Sequence, residues 1–569
     1  MKTNHLFIAI LAASACCFAS CENLDLQPES TTTLMEDEVW NSYEGIHGSF
    51  LKLYGAMGPQ SMGGQGGNDV NFDGGRSAYL RSLFWSQECA SDIVMYRTAA
   101  SYGVKQACEF TWTPGTEFPQ YIYYRAYIII AMANDFLRRT QDGALGSGIY
   151  GQVKDELPYW RAEARFIRAY QYYLLCDLFG SVGFVDETSP NGTYPVQRTR
   201  KEIFEYVERE LLAIENEMMP ASRKVFGRAN QVADWFLLAK LYINGKVYAG
   251  SDEYYGKAYT YAKKVVDDTN FSLAPNYIEN FLKDNDTCKE IIWAMPSDFE
   301  HMQGEGMANY LIKFPTTKDI LSVVDYGISE QWGGNGALRY AFVTKFSEAD
   351  QNFDPTDTWG DKKGDKRALL FVGPGSAVGT SEAYVKETWI DGEAFNTKKI
   401  YIGASFTKWR NVTKDRIKAS ATTYASVAFP IFRKADAYLI AAEAIMRRDG
   451  KADAEALGYV NEVRDRAYCR GNYQSSYNTA DGRITLDELT FDFLIDERAR
   501  ELWTENWRRS DLIRFDRYTK NYNWDWKGRS TSNETNHEGR DVDDKYKLYP
   551  IPQDDVLYNP YIHQNPDYE

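Results

Sequence analysis

The segment from Asn230 to Val266 sets the strongest constraint on what this chain can become. Val232, Phe236, Ala239 and Ile243 recur at i, i+4, i+7 and i+11, the stripe of an amphipathic helix. A second helical period runs through YYGKAYTYAKKVV, so the whole reads as a helix-turn-helix unit close to the tetratricopeptide length of ~34 residues. Such a unit cannot bury its apolar stripe alone, so further helices must stack on it to make one continuous body.

The sequence supplies those neighbours. From Pro158, YWRAEARFIRAYQYYLLCDLFG places Phe166, Tyr170, Tyr173, Leu174 and Leu178 on one face and stops at Gly180. Thr199 with Glu202 forms a capping box before IFEYVERELLAIENEM, a helix expected to end near Pro220. In the C-terminal third, FRKADAYLIAAEAIMRR and ADAEALGYVNEVRDRA flank a break at Gly450, and Thr485 with Glu488 predicts the cap of a long helix containing FLIDERARELWTE. By contrast, Gln60 to Gly75 is glycine-rich, and about 298–425 is irregular and rich in Gly, Thr and aromatics. The expected fold is mostly α. A helical-repeat scaffold (about 21–60, 110–290 and 425–515) carries a loop-rich lobe (about 60–110 and 298–425), followed by a C-terminal tail at 516–569. Loops on a rigid scaffold are where binding residues concentrate.

The first 20 residues are set apart. Lys2, an apolar run from Leu6 to Phe18, and Ala19-Ser20 leading into Cys21 have the layout of a secretory signal with a lipobox, in which Cys21 is the lipidated residue. A lipid-modified cysteine anchors a protein to a membrane without spanning it. No later stretch approaches 18 consecutive apolar residues, and mean hydropathy is −0.50, so residues 21–569 are expected to form one soluble body. A net charge of −16 argues against nucleic acid and anionic lipid surfaces, which need basic patches.

Enzyme signatures are absent. The sequence has no HExxH, GxSxG, P-loop or GxGxxG pattern, and outside the signal only four histidines, His47, His301, His537 and His563, remain for acid–base work. The 80 Asp and Glu leave open a glycoside hydrolase, which needs two carboxylates facing each other across a sugar. Cys89, Cys108, Cys176, Cys288 and Cys469 are scattered without metal-type spacing and read as packed thiols. No cofactor is indicated. Asp284 to Thr287 (DNDT) offers calcium-friendly carboxylates but only a fragment of a loop pattern. Aromatics make up 15% of the chain; much of this is core, and a surplus of Tyr and Trp also suits stacking on pyranose faces.

A series of strings in order along the chain resembles the SusD/RagB family: CENLDLQP, FIRAYQYYLLCDLFG, RANQVADWFLLAKLYIN, FPIFRKADAYLIAAEA, VNEVRDRA, DERARELWTENWRRSDLIRF, LYPIP and NPYIHQNPDY. The resemblance implies a surface lipoprotein with four tetratricopeptide-type units on the outer membrane. Such a protein captures oligosaccharide or polysaccharide and passes it to a SusC-type TonB-dependent transporter without cleaving it. Some relatives are associated with peptide uptake, which keeps a RagB-like peptide cargo as the alternative. Within the strings, Glu497, Arg498, Arg500 and Glu501 have spacings for i,i+3 and i,i+4 charge pairs and read as structure, as do Asp511 and Arg514.

Candidate ligand contacts are aromatics outside helical periods and near polar groups. The segment from Asn68 to Arg97 offers Asp73, Arg81, Trp85, Tyr96 and Arg97. It resembles the segment from which starch-binding relatives draw stacking aromatics and an arginine, with Arg81 and Tyr96 at matching positions. Where those relatives present a tryptophan pair, this chain has Tyr96, Arg97 and Thr98, which leaves the sugar open. Trp85 reads equally as core, given its apolar and small neighbours. A second cluster holds His301, Tyr310 and Trp332, the last beside glycines that leave a ring face uncovered. Trp389 and Trp409 read as strand packing.

Overall fold

A computed structural model describes residues 36–58, 75–96, 103–190, 192–300, 305–306, 308–316, 321, 325–332, 336–351, 357–371, 404–420, 422–469, 482–530 and 538–569. It is mostly α-helical. The principal helices are α1 (Tyr43–Gly55), α2 (Tyr79–Phe84), α3 (Glu117–Arg139), α4 (Leu157–Leu178), α5 (Arg200–Ile214), α6 (Gln231–Ile243), α7 (Tyr255–Asp267), α8 (Ala308–Lys313), α9 (Lys434–Asp449), α10 (Ala454–Tyr468), α11 (Phe491–Leu502), α12 (Arg508–Arg514) and α13 (Gln553–Tyr558). Neighbours in this series pack on one another: α3 on α4, α4 on α5, α6 on α7, α7 on α9, and α9 on α10. One hydrophobic cluster runs from Ile46 to Tyr568, so the C-terminal tail and the loop-rich segments share the core of the helices.

Local signals explain the helix ends. The Thr199–Glu202 capping box forms, with Glu202 accepting the Thr199 N–H at 2.8 Å, and Asn230 accepts from Val232 and Ala233 at the start of α6. Gly450 closes α9 in the left-handed region at φ 73°, where a side chain would be strained. Three expectations are corrected. Helix α4 is buried on every side from Phe166 to Leu178 rather than along one stripe, because α3, α5 and the tail enclose it. Helix α5 stops at Ile214, well before Pro220. Thr485 and Glu488 bond each other in a turn, while α11 begins later, at Phe491, with Thr490 as its cap.

The charge pairs of α11 are structural and longer in range than their spacing suggested. Arg500–Glu497 is an i,i+3 pair at 2.7 Å, as is Arg514–Asp511 at 2.6 Å. Glu497 also holds Arg367 and Arg464, Glu501 holds Arg367, Arg433 and Arg466, and Arg498 reaches Asp436 and Asp511. These side chains are buried, so their opposite charges are mutual solvation. Trp409 stacks on Phe429 with rings 6° from parallel and is core.

Small antiparallel pairs complete the framework: β1 (Val94–Tyr96) with β5 (Gly336–Leu338), β2 (Val182–Phe184) with β3 (Val196–Arg198), and β4 (Ile291–Met295) with β6 (Phe429–Arg433). The β1–β5 pair places Tyr96 opposite Gly336 and thereby joins the two aromatic-rich segments.

Candidate functional site

Arg81, on α2, lies at the centre of an aromatic cluster. Its guanidinium carbon is 4.6 Å from the Tyr310 ring centroid, 4.9 Å from that of Trp85 and 5.5 Å from that of Trp332. Each contact places a cation on the electron-rich face of a ring. One guanidinium nitrogen donates to the Gly75 carbonyl at 2.9 Å, while Nε has no hydrogen-bond partner among the described residues.

The rings are fixed from beneath. Trp85 donates its indole N–H to the Tyr310 hydroxyl at 2.9 Å, and Tyr310 stacks on Phe314 with centroids 4.8 Å apart. Phe314 touches Tyr96 at 5.2 Å and lies over Gly336, where a Cβ would come within 2.2 Å of the ring; glycine is what lets the strand approach this closely. Burial raises the Tyr310 hydroxyl pKa well above its ordinary value, so it stays a neutral acceptor for Trp85.

A polar arm stands beside the rings. The fully buried Lys313, at the end of α8, donates to Glu305 at 2.9 Å and Glu330 at 2.7 Å, and its carbonyl accepts the Trp332 N–H at 3.1 Å. Asn309 donates to Glu305 at 2.8 Å. Arg81, Tyr96, Trp332 and Glu305 are half-buried, and Glu330 is exposed. The arrangement therefore offers partly open ring faces next to hydrogen-bonding groups, which is chemistry for stacking on a sugar ring and bonding its hydroxyls. The two carboxylates share one lysine, which makes them charge-compensated acceptors.

Two separately chosen sequence clusters thus meet: Arg81 and Tyr96 from one, Tyr310 and Trp332 from the other. Trp85 is a correction. It has no exposed surface, because Arg81, Tyr121 and Tyr310 enclose it, so it supports the rings and offers no face to a ligand. Asp73, Arg97, His301, Cys21 and Trp389 lie outside the described residues. Phe314, Lys313, Glu305 and Glu330 were not singled out by sequence; their roles arise only when α8 is laid against α2. The Asp284–Thr287 fragment is engaged by backbone: Asp284 accepts the Lys414 N–H at 3.0 Å, and Asn285 donates to the carbonyls of Asn280 and Ala428. Among the described residues, no group of three or more His, Cys, Asp or Glu gathers to hold a metal ion. Of the five described cysteines, all but the half-buried Cys288 are buried.

Comparison with known proteins agrees with this architecture. Residues 242–568 match the model of the SusD family, and residues 81–243 match a model described as "Starch-binding associating with outer membrane". The chain is 31% identical to the starch-binding protein SusD of Bacteroides thetaiotaomicron, in an alignment covering all of both chains. Among solved structures, a SusD homologue from Bacteroides thetaiotaomicron aligns with TM-score 0.66 at 20% identity, covering 94% of this chain and 99% of that one. A surface glycan-binding protein A from the same organism, solved in complex with laminarihexaose, aligns with TM-score 0.65 at 16% identity, covering 92% of this chain and 99% of that one.

Proposed function

Because the chain belongs to the SusD family, we propose that it is a cell-surface glycan-binding lipoprotein that captures oligosaccharide or polysaccharide at the Arg81–Trp332 cluster. It delivers this cargo, uncleaved, to a SusC-type TonB-dependent transporter in the outer membrane. The observation that carries the reading is the half-buried Trp332 ring beside a guanidinium, two further aromatics and the Glu305–Lys313–Glu330 arm. Stacking supplies contact area with tolerance for sliding, and the polar arm fixes orientation.

Asp73, Arg97 and His301 enter the reading by their places in the chain: two residues before Gly75, one after Tyr96 and four before Glu305. A site of two or three sugar rings would bind with roughly micromolar to millimolar affinity, about −4 to −8 kcal/mol, weak enough to release cargo. Anchoring through lipid on Cys21 suits a chain in which no described helix is long and apolar enough to cross a membrane.

Affinity electrophoresis of residues 22–569 through gels containing starch, laminarin and other polysaccharides tests the proposal. Retardation by at least one glycan is expected, strongly weakened by Trp332→Ala, with no reducing ends released. Release of reducing ends would make the protein a hydrolase, and silence across the panel would favour a peptide cargo.

A further inference from the structure

Helix α3 has two aromatic faces. Tyr121 turns toward Trp85 and the cluster above, with ring centroids 6.3 Å apart. Tyr123, about 200° further round the helix, looks the other way. There it joins Tyr124 and Tyr127 in lining a cavity of about 340 Å³, bounded by the β2–β3 hairpin and α13. Tyr194 and Tyr558 stand at its rim, 58% and 67% exposed. The volume falls within the ~300–1,000 Å³ of small-ligand sites.

The floor is rigidly built. Tyr123 donates to Asp555 at 2.8 Å, Tyr127 donates to the Gly183 carbonyl at 2.6 Å, and Asn559 donates to the Pro195 carbonyl at 2.9 Å. The Tyr123 ring meets Tyr124 edge-on at 5.6 Å and Tyr127 at 4.9 Å. Five tyrosines and the carboxylates of Asp554 and Asp555 dominate the lining, and among the described residues Ile562 is its only open-chain aliphatic. A groove for an apolar helix would be lined by Leu, Ile, Val or Met. Among the described residues no lysine or arginine lines the cavity, so these offer nothing to neutralise an anionic ligand. Flat phenol rings with adjacent carboxylate acceptors match the apolar face and vicinal hydroxyls of a neutral pyranose.

We propose that this tyrosine cavity is a second, separate binding site for neutral sugar residues, on the opposite face of α3 from the Arg81–Trp332 cluster. The inference rests on the glycan-binding reading above. One polysaccharide strand, or two neighbouring strands, engaging both sites would be held by avidity, with no gain for an oligosaccharide too short to reach both.

The test uses the whole mature chain with soluble starch and laminarin as gel-embedded probes, comparing wild type, Tyr194→Ala/Tyr558→Ala, Trp332→Ala and the triple variant. Both rim tyrosines are exposed, so the double variant should fold and melt as wild type does; Tyr558→Trp, which keeps a flat ring, should retain binding. The double variant is expected to weaken polysaccharide retardation on the order of ten-fold, and residual retardation of Trp332→Ala should vanish in the triple variant. Migration of the double variant identical to wild type on a gel that retards wild type would overturn the second site and leave the first intact. Unchanged retardation together with loss of a co-purifying membrane protein would overturn it in favour of a protein-docking surface. If wild type itself is not retarded, the glycan-binding reading falls and takes this inference with it.

Discussion

Two regions of the molecule concentrate arginine and use it in opposite ways. Around α11, Arg367, Arg433 and Arg466 are buried, and each is met by two or more carboxylates. Around Trp332, the half-buried Arg81 meets ring faces and one carbonyl. A buried cation fully surrounded by anions has no remaining capacity for a ligand, and it is costly to unbalance. A half-buried cation on aromatic faces is held by weaker contacts, about 0.5–2 kcal/mol each. The first arrangement holds the fold, and the second suits a site that binds and releases.

Acidification should separate the two regions most widely. Burial alone would raise the pKa values of Asp92, Glu497, Glu501 and Asp511, but the adjacent guanidiniums override it and hold all four below the usual carboxylate range. Their stabilisation is therefore complete above the unfolded pKa of ~4 and is lost as pH falls through the lower folded values. Glu88 works in the opposite sense: burial pushes it up to about 7, so its contribution is present below pH ~4.5 and is lost as pH rises through 7. Melting temperature is expected to fall steeply below pH ~4 and gently from pH ~5 to 7, with Glu88→Gln flattening only the upper limb. A flat profile below pH 4 would show that the scaffold pairs contribute nothing.

Next in size is Glu501→Ala. It leaves Arg367, Arg433 and Arg466 short of an anion and should cost ~3–5 kcal/mol in denaturant unfolding. A cost under ~1 kcal/mol would erase the contrast between the regions. Smaller again is Trp85→Phe, which removes the indole bond to Tyr310 and should lower stability by ~1–2 kcal/mol. It should change glycan affinity less than Trp332→Ala does, in keeping with a supporting role.

Legibility in sequence divides along the same line. The Thr199–Glu202 box and the Gly450 stop are local, involving residues within about one turn of each other, so spacing alone identifies them. Thr485–Glu488 misled because a Glu488 carboxylate that accepts the Thr485 N–H and hydroxyl also stabilises an isolated turn. The partners of Glu501 come from positions 367, 433 and 466, and no helical spacing encodes pairs so distant. The candidate site was half-legible: both aromatic segments stood out, yet their meeting depends on β1 pairing with β5 across more than 200 residues. Trp85 and Trp332 look alike as letters, and only packing makes one a support and the other a half-open face. Lys313 carried no signal, since nothing in its neighbourhood announces a buried lysine gripping two glutamates.

In the proposed reading the Arg81 guanidinium serves glycan binding and is dispensable for the fold. Calorimetric titration of Arg81→Ala with the glycan that retards wild type, alongside a thermal melt of the same sample, tests it most directly. The expected result is a Kd raised about ten-fold or more, ~1.4 kcal/mol, with Tm within ~2 °C of wild type. An unchanged Kd, or an affinity lost only together with the folded state, would contradict it.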